Sequence, residues 1–400
     1  MGAIVQNSII YVMNIGVFIN IFFYLNYANI VRIPEYIIYF LLFAVLSFLY
    51  LIKKKDIVIS KSLSTWVVFY FFVNTIYLVE AGFSNSVYQF YPIIIMYVIV
   101  FLAFSLLCHL DDDQLSMSRK GVASGAIIGV ILLLIDFTIP GYFAVGDNTV
   151  VGRAIAMYGN SNFAAIALIL ALILSIDIID KNLKLYYILI IFIGVLVTFS
   201  RSGLLVFILI TSIMAYQNKI SKKTFMVMVS SIISFLIFLL LGGFEVIATT
   251  FDIEITDNLI NRISFFVDSD NAETGDMDER KRVLLAALDL FADSPFFGDG
   301  FAATRLWDHR VSPHNTFAVT LAEFGLFGLL MIPSFLYLTT YKLFKSSPKE
   351  YRDIGVLFIV YYVSFCMFTH GMLNYAVNMV AAVIIVTLES KNRYKKVSSL

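Results

Sequence analysis

The chain has 400 residues, of which 60% are hydrophobic, 16% aromatic and only 14% charged, and its formal net charge is zero. A water-soluble globular protein is about 45–50% apolar and about 25% charged, so this composition, with a mean hydropathy of +0.88, excludes an ordinary soluble domain and belongs in lipid. The lack of net basicity argues against a nucleic-acid partner.

Apolar runs of about 16 to 24 residues recur from end to end, matching the ~20 residues that a helix needs to cross a ~30 Å hydrocarbon core; a barrel would instead show short alternating segments. The opening MGAIVQNS has neither the basic region nor the small-residue cleavage site of a signal peptide, so the first run is expected to be a retained span. About twelve spans are expected, near residues 9–31, 35–52, 63–80, 90–108, 121–139, 162–179, 185–200, 203–217, 224–242, 315–341, 354–370 and 372–389. The expected fold is an all-α polytopic membrane protein with about 12 transmembrane helices. Residues 1–242 hold spans 1–9, residues 243–314 a long extracytoplasmic loop with short amphipathic helices, and residues 315–400 spans 10–12 and a cytoplasmic tail.

Charge supports this order. With a cytoplasmic N-terminus, the even-numbered connections and the tail collect about 19 of the 28 basic residues, from Lys53, Lys54 and Lys55 through Lys219, Lys222 and Lys223 to Lys395 and Lys396. The short odd connections hold only Arg32, Arg153 and Arg201, and the other six basic residues lie in the long segment. The positive-inside rule places both termini in the cytoplasm and the long segment outside. Long loops translocate regardless of charge, so their arginines are free to serve function. Within that segment, Asp278 to Ala292 reads as an amphipathic helix with Val283, Leu284, Ala287, Leu288 and Phe291 on one stripe, stopped by SPFFGDG. No internal repeat is visible.

Three groups of polar residues stand out. Ser312-Pro313-His314-Asn315 precedes span 10; serine as cap and proline at the first helical position put His314 and Asn315 in the first turn, where free amides and the positive dipole end suit an anion and keep the imidazole neutral. The alternative is an interfacial histidine that merely caps a helix. Thr316, Thr320 and Glu323 then form one polar stripe, which should face the protein interior; Glu323 is either functional or half of a structural ion pair, and Gly325 and Gly328 permit close helix approach. Arg201, in VTFSRSGLLVF, sits where an otherwise continuous apolar stretch must turn between Ser200 and Gly203. It is either a snorkelling anchor or, with Arg153, Arg280, Arg282, Arg305 and Arg310 on the same side, a guanidinium fork for phosphate oxygens.

The remaining signals are bland. Cys108 and Cys366 lie in apolar runs and imply no disulfide framework; His109, His309, His314 and His370 are scattered without metal-ligand spacing; Asp111, Asp112 and Asp113 read as a solvated acidic loop. No metal or cofactor is expected, and no Walker loop, dinucleotide fingerprint or serine elbow occurs.

Four stretches resemble, in order, the O-antigen ligase and polymerase superfamily of bacterial envelope proteins: RAIAMYGNSNFAA, FSRSGLL, ERKRVLLAALDLFADSPFFGDGF and HNTFAVTLAEFGLFGLL, together covering about residues 150 to 335. The chain departs from the common pattern at Leu284, where an aromatic often follows the loop arginine. The resemblance implies a glycosyltransferase of the GT-C-like kind, acting on undecaprenyl-diphosphate-linked glycans at the outer face of the bacterial cytoplasmic membrane. It implies metal-independent transfer without a nucleotide sugar. Carried over by position, Arg153, Arg201 and Arg280 take the diphosphate, with Asn315 beside them and Arg282 able to exchange with Arg280. His314 activates the acceptor hydroxyl, and Glu323 is a second-rank orienting or basic group. Membrane lipid is a partner, and a chain-length regulator is a further one that the resemblance allows. Polymerisation of O-antigen or capsular repeat units is the favoured activity; transfer to lipid A core or protein by a ligase is the alternative within the superfamily. A lipid-linked oligosaccharide flippase is the alternative of another class, disfavoured because the notable charges gather outside and not at mid-membrane in repeated halves.

Overall fold

The computed structural model of the protein describes residues 2–32, 37, 38, 41, 61–80, 112–145, 153–250, 275–300, 302–309 and 311–397. The expected spans at 35–52 and 90–108, Cys108, His109, Arg310 and residues 251–274 of the long loop lie wholly or largely outside these. Regular structure among the described residues is helical. In chain order the helices are α1 (Gly2–Phe18), α2 (Ile21–Tyr27), α3 (Lys61–Glu80), α4 (Asp112–Thr138), α5 (Ser161–Ser175), α6 (Lys184–Val197), α7 (Arg201–Tyr216), α8 (Lys222–Leu240), α9 (Gly243–Thr250), α10 (Gly275–Asp293), α11 (Ala303–Leu306), α12 (Thr316–Ser346), α13 (Lys349–Cys366) and α14 (Ala376–Val397).

Among the described residues α4 and α12 are long and apolar enough to cross a membrane, and α1 with α2, bent by 58°, makes a third candidate. Helices α5, α6, α7 and the start of α14 are apolar but shorter. The helical membrane class is thus borne out, while the count of about twelve spans extends beyond what these helices test. Local chemistry explains several ends. Asp112 and Asp113, expected as a solvated loop, instead occupy the first turn of α4, where carboxylates complement the helix dipole. The helix expected from Asp278 to Ala292 is α10; Val283 and Ala287 are buried as the stripe requires, but Leu288 is exposed.

The chain divides into two compact units, residues 1–32 with 116–275, and residues 33–115 with 276–400. At the centre of the first is α5, buried on nearly every side and packed against α6 and α7. Its two ends carry different chemistry. At one, Lys219 Nζ meets Asp177 Oδ2 at 2.8 Å, Arg119 Nη2 lies 3.7 Å from the same oxygen, and Lys184 Nζ donates to the Lys219 carbonyl at 2.8 Å. At the other, Asp136 Oδ2 accepts from the amides of Ile155 and Ala156, both at 2.8 Å. Basic residues of the even connections therefore cluster at one end of this unit, and Arg153 and Arg201 belong to the opposite end.

The second unit is built on α12, against which α3, α13 and α14 pack. Trp66 of α3 is fully buried; its ring lies 4.7 Å from that of Phe335, and its Nε1 donates to the Met331 carbonyl at 3.3 Å, so a bulky indole is accommodated with its one donor satisfied. Helix α12 is not continuous. Gly325 adopts φ 56° and ψ −136°, breaking it into Thr316–Phe324 and a longer C-terminal part. The groups that the break frees are taken by the turn after α10: Asp299 N donates to Ala322 O at 2.8 Å, Gly300 N to Glu323 O at 3.2 Å, and Leu326 N to Pro295 O at 3.0 Å. Tyr77 of α3 adds a hydroxyl donated to Phe324 O and Phe297 O. Gly325 is thus not a site of close approach between straight helices, as its sequence context suggested, but the break itself.

Replacing Gly325 with alanine would force a Cβ into a left-handed conformation, 2.6 Å from the Phe296 carbonyl carbon and 2.7 Å from Gly298 N. Gly325→Ala should therefore lower unfolding stability in detergent by at least about 2 kcal/mol, read as a fall in the thermal midpoint.

Candidate active site

In the first unit, two of the expected residues, Arg153 and Arg201, lie at the polar end of α5. Asn160 caps α5, its side chain accepting from Asn162 N at 2.8 Å. Ser200 caps α7, its Oγ accepting from Gly203 N at 3.1 Å and donating to Asn162 Oδ1 at 2.8 Å. An alanine-sized Cβ on Gly203 would lie 2.6 Å from the Ala165 Cβ, so glycine here lets the starts of α5 and α7 meet. Arg153 closes the arrangement: its Nε donates to Thr198 O at 3.2 Å and its Nη2 to Asn162 Oδ1 at 3.3 Å. Arg201 is the first residue of α7, half-buried, at the turn expected between Ser200 and Gly203. Two helix N-termini and two guanidinium groups thus share one end of one unit, an arrangement whose field favours an anion. Asn162 and Ser200, which join Arg153 to the start of α7, are not among the expected residues, and the Asn-x-Asn and Ser-Arg-Ser spacings are the signals the sequence offers for them.

The second unit holds the other expected residues. Asn315, not Ser312, is the cap of α12: its Oδ1 accepts from Ala318 N at 3.1 Å and the helix begins at Thr316. His314 therefore precedes the helix and does not sit in its first turn, because asparagine offers a side-chain acceptor three residues nearer the apolar run than serine does. His314 is half-buried, its ring 5.7 Å from that of His370. Thr316 Oγ1 donates to Thr369 O, and the Thr369 and Tyr375 hydroxyls lie 3.3 Å apart. The expected polar stripe is buried, with Thr316, Thr320 and Glu323 all at most 5% exposed. Glu323 Oε1 accepts from Thr304 Oγ1 at 2.6 Å, backbone groups of Ala302 and Thr304 reach the same carboxylate, and Arg305 lies close enough for its charge to act on it. That charge also acts on His370 and Tyr375. Arg305, His370 and Tyr375 thus stand near Glu323 and His314, a grouping that the sequence does not signal: Arg305 is one of several arginines expected on the outer side, and His370 one of the scattered histidines.

Arg280 and Arg282 both have exposed side chains on α10. The helix phase separates them. Ala287 packs on Ala318 and Ala322 of α12, and Arg280, seven residues before Ala287, projects from that same face, whereas Arg282 is turned well away from it. Among the described residues, no three His, Cys, Asp or Glu side chains converge as a metal site would require.

The span expected to run to residue 370 stops at Cys366, leaving His370 in the connection that follows α13. There burial, then the neighbouring His314 and the Arg305 charge, push its imidazole down from 6.5 to about 4. On acidification the unfolded chain takes up this proton first, so His370 subtracts stability only as pH falls from 6.5 towards about 4. Thermal unfolding across that range should show the parent losing stability more steeply than His370→Gln, with the two curves parallel above neutral pH.

No curated protein matches the chain. Residues 186–332 match the O-antigen ligase family, a stretch that runs from α6 into α12 and includes Arg201, Arg280, His314 and Glu323, but not Arg153, His370 or Tyr375. The apolar helices and this match together are those of a membrane protein in which residues 186–332 are similar to the O-antigen ligase family.

Proposed function

We propose that this protein polymerises undecaprenyl-diphosphate-linked oligosaccharide repeat units into O-antigen or capsular polysaccharide, by metal-independent glycosyl transfer at the outer face of the bacterial cytoplasmic membrane. The observation that carries the reading is the family match over residues 186–332, which contains an arginine at the start of a capped helix and a half-buried histidine before another. An acceptor hydroxyl attacks the anomeric carbon of the donor as the bond from that carbon to the diphosphate oxygen breaks. The electron pair leaves with the diphosphate, and the hydroxyl proton passes to His314. Arg153, Arg201 and Arg280 stabilise the departing diphosphate charge, with Asn315 and Arg282 as further ligands; preorganised donors of this kind act most strongly where charge develops. Glu323 is a positioning group in this scheme, since Thr304 and backbone groups already occupy its carboxylate.

A ligase is the second reading, favoured by the description of the matching family; it uses the same donor chemistry and differs in the acceptor, lipid A core or protein. The test is to incubate the purified protein with a lipid-diphosphate-linked repeat unit in the presence of a chelator. Longer lipid-linked products support the polymerase, and products formed only after a core-lipid acceptor is added support the ligase. His314→Ala should slow transfer by about 10²–10⁴-fold, the usual worth of a general base, and Arg201→Ala should also shorten chains to single units in cells. Repeat units accumulating on the inner face would instead indicate transport and overturn the enzymatic reading.

A further inference from the structure

The turn Pro295–Gly300, between α10 and α11, is tied by main-chain hydrogen bonds to Ala322, Glu323 and Leu326 of α12. Those residues lie well inside a helix long and apolar enough to cross a membrane, about 10–15 Å from its first residue at 1.5 Å per residue. A turn bonded to them through its backbone is held at the same level. Its two largest side chains nevertheless point outward: Phe296 is 67% and Phe297 63% exposed. They are not isolated, because the Phe297 ring lies 6.2 Å from that of Phe327 on α12. Leu326, Phe327 and Leu330 are themselves exposed, so the phenylalanine pair continues the apolar outer surface of a membrane-crossing helix. Main-chain groups of Pro295, Phe297, Asp299 and Gly300 are taken by the hydrogen bonds at the Gly325 break and by the Tyr77 hydroxyl. Asp299 is exposed and sets the limit of depth.

We propose that this turn is a re-entrant wedge that contacts the bilayer, seating Phe296 and Phe297 among acyl chains with Asp299 at the headgroups. Irregular backbone at membrane depth is tolerated where protein satisfies its polar groups, and the break in α12 supplies that satisfaction. The wedge fixes the height of Thr304, a few residues further along, at that of Glu323, to which it is bonded. This inference stands on the surface and the hydrogen bonds alone and holds whichever acceptor the protein uses.

The test is site-directed spin labelling of the full-length protein in lipid vesicles. A nitroxide at Phe296→Cys is compared with one at Lys281→Cys, on the exposed side of α10, and the parent treated with the same reagent reports any background from Cys108 and Cys366. Collisions with oxygen should exceed those with a water-soluble nickel chelate at 296, the oxygen-to-nickel ratio being several-fold higher there than at 281. Equal, nickel-dominated collision at both sites would put the turn in water and overturn the proposal. Weak collision with both reagents at 296 would mean that protein covers it, and would overturn the proposal equally. Phe297→Cys supplies the same measurement should Phe296→Cys fail to fold.

Discussion

A helix that breaks inside a membrane protein must find new partners for the amides and carbonyls it releases, because hydrocarbon offers none. At Gly325 the partners are supplied by one short turn and one tyrosine: Asp299 N, Gly300 N, Pro295 O and the Tyr77 hydroxyl. The same bonds determine where Glu323 sits. It is the penultimate residue of the first part of α12, and the chain that satisfies its carbonyl goes on directly to Ala302 and Thr304, which hold its carboxylate. Backbone satisfaction and carboxylate placement are therefore one feature. The loop between α10 and α11 is a structural part of α12 as much as a connection.

The first unit solves a related problem at its polar end. Two helices begin side by side, each with donors that need acceptors. Asn160 and Ser200 provide caps, and Asn162 Oδ1 takes hydrogen bonds from both Ser200 and Arg153. Asp136 meets the amides of Ile155 and Ala156 on the segment that carries Arg153. The outcome is a rigid guanidinium, held through a side-chain amide and a carbonyl, beside two positive helix ends. Preorganisation of this kind suits an anion, since donors already in place do not reorganise as negative charge arrives.

Much of this is legible in the sequence. The turn at Ser200 followed from the length of the apolar runs, the α10 helix from the spacing of Val283 and Ala287, and the burial of Glu323 from the cost of an intramembrane carboxylate. The misses have physical causes. Ser312 and Asn315 are both good caps, and only the path of the chain decides between them. Leu288 fits the stripe of α10 by period yet is exposed, because the helix rests on small residues, Ala318 and Ala322, and the contact is narrower than the stripe. Glycines at 325 and 328 carry the same letter whether they permit close packing or mark a break.

Sequence by itself determined the lipid environment, the helical class and the residue types from which an anion-binding, proton-accepting site can be built, because these depend on composition, on local spacing and on chain lengths set by bilayer thickness. Only the tertiary structure decided that α12 is broken at Gly325, that Asn162 joins Arg153 to Ser200, and that His370 and Arg305 stand with His314 and Glu323. Those are contacts between residues far apart in the chain, and their formation depends on which helix faces pack, something that no local pattern encodes.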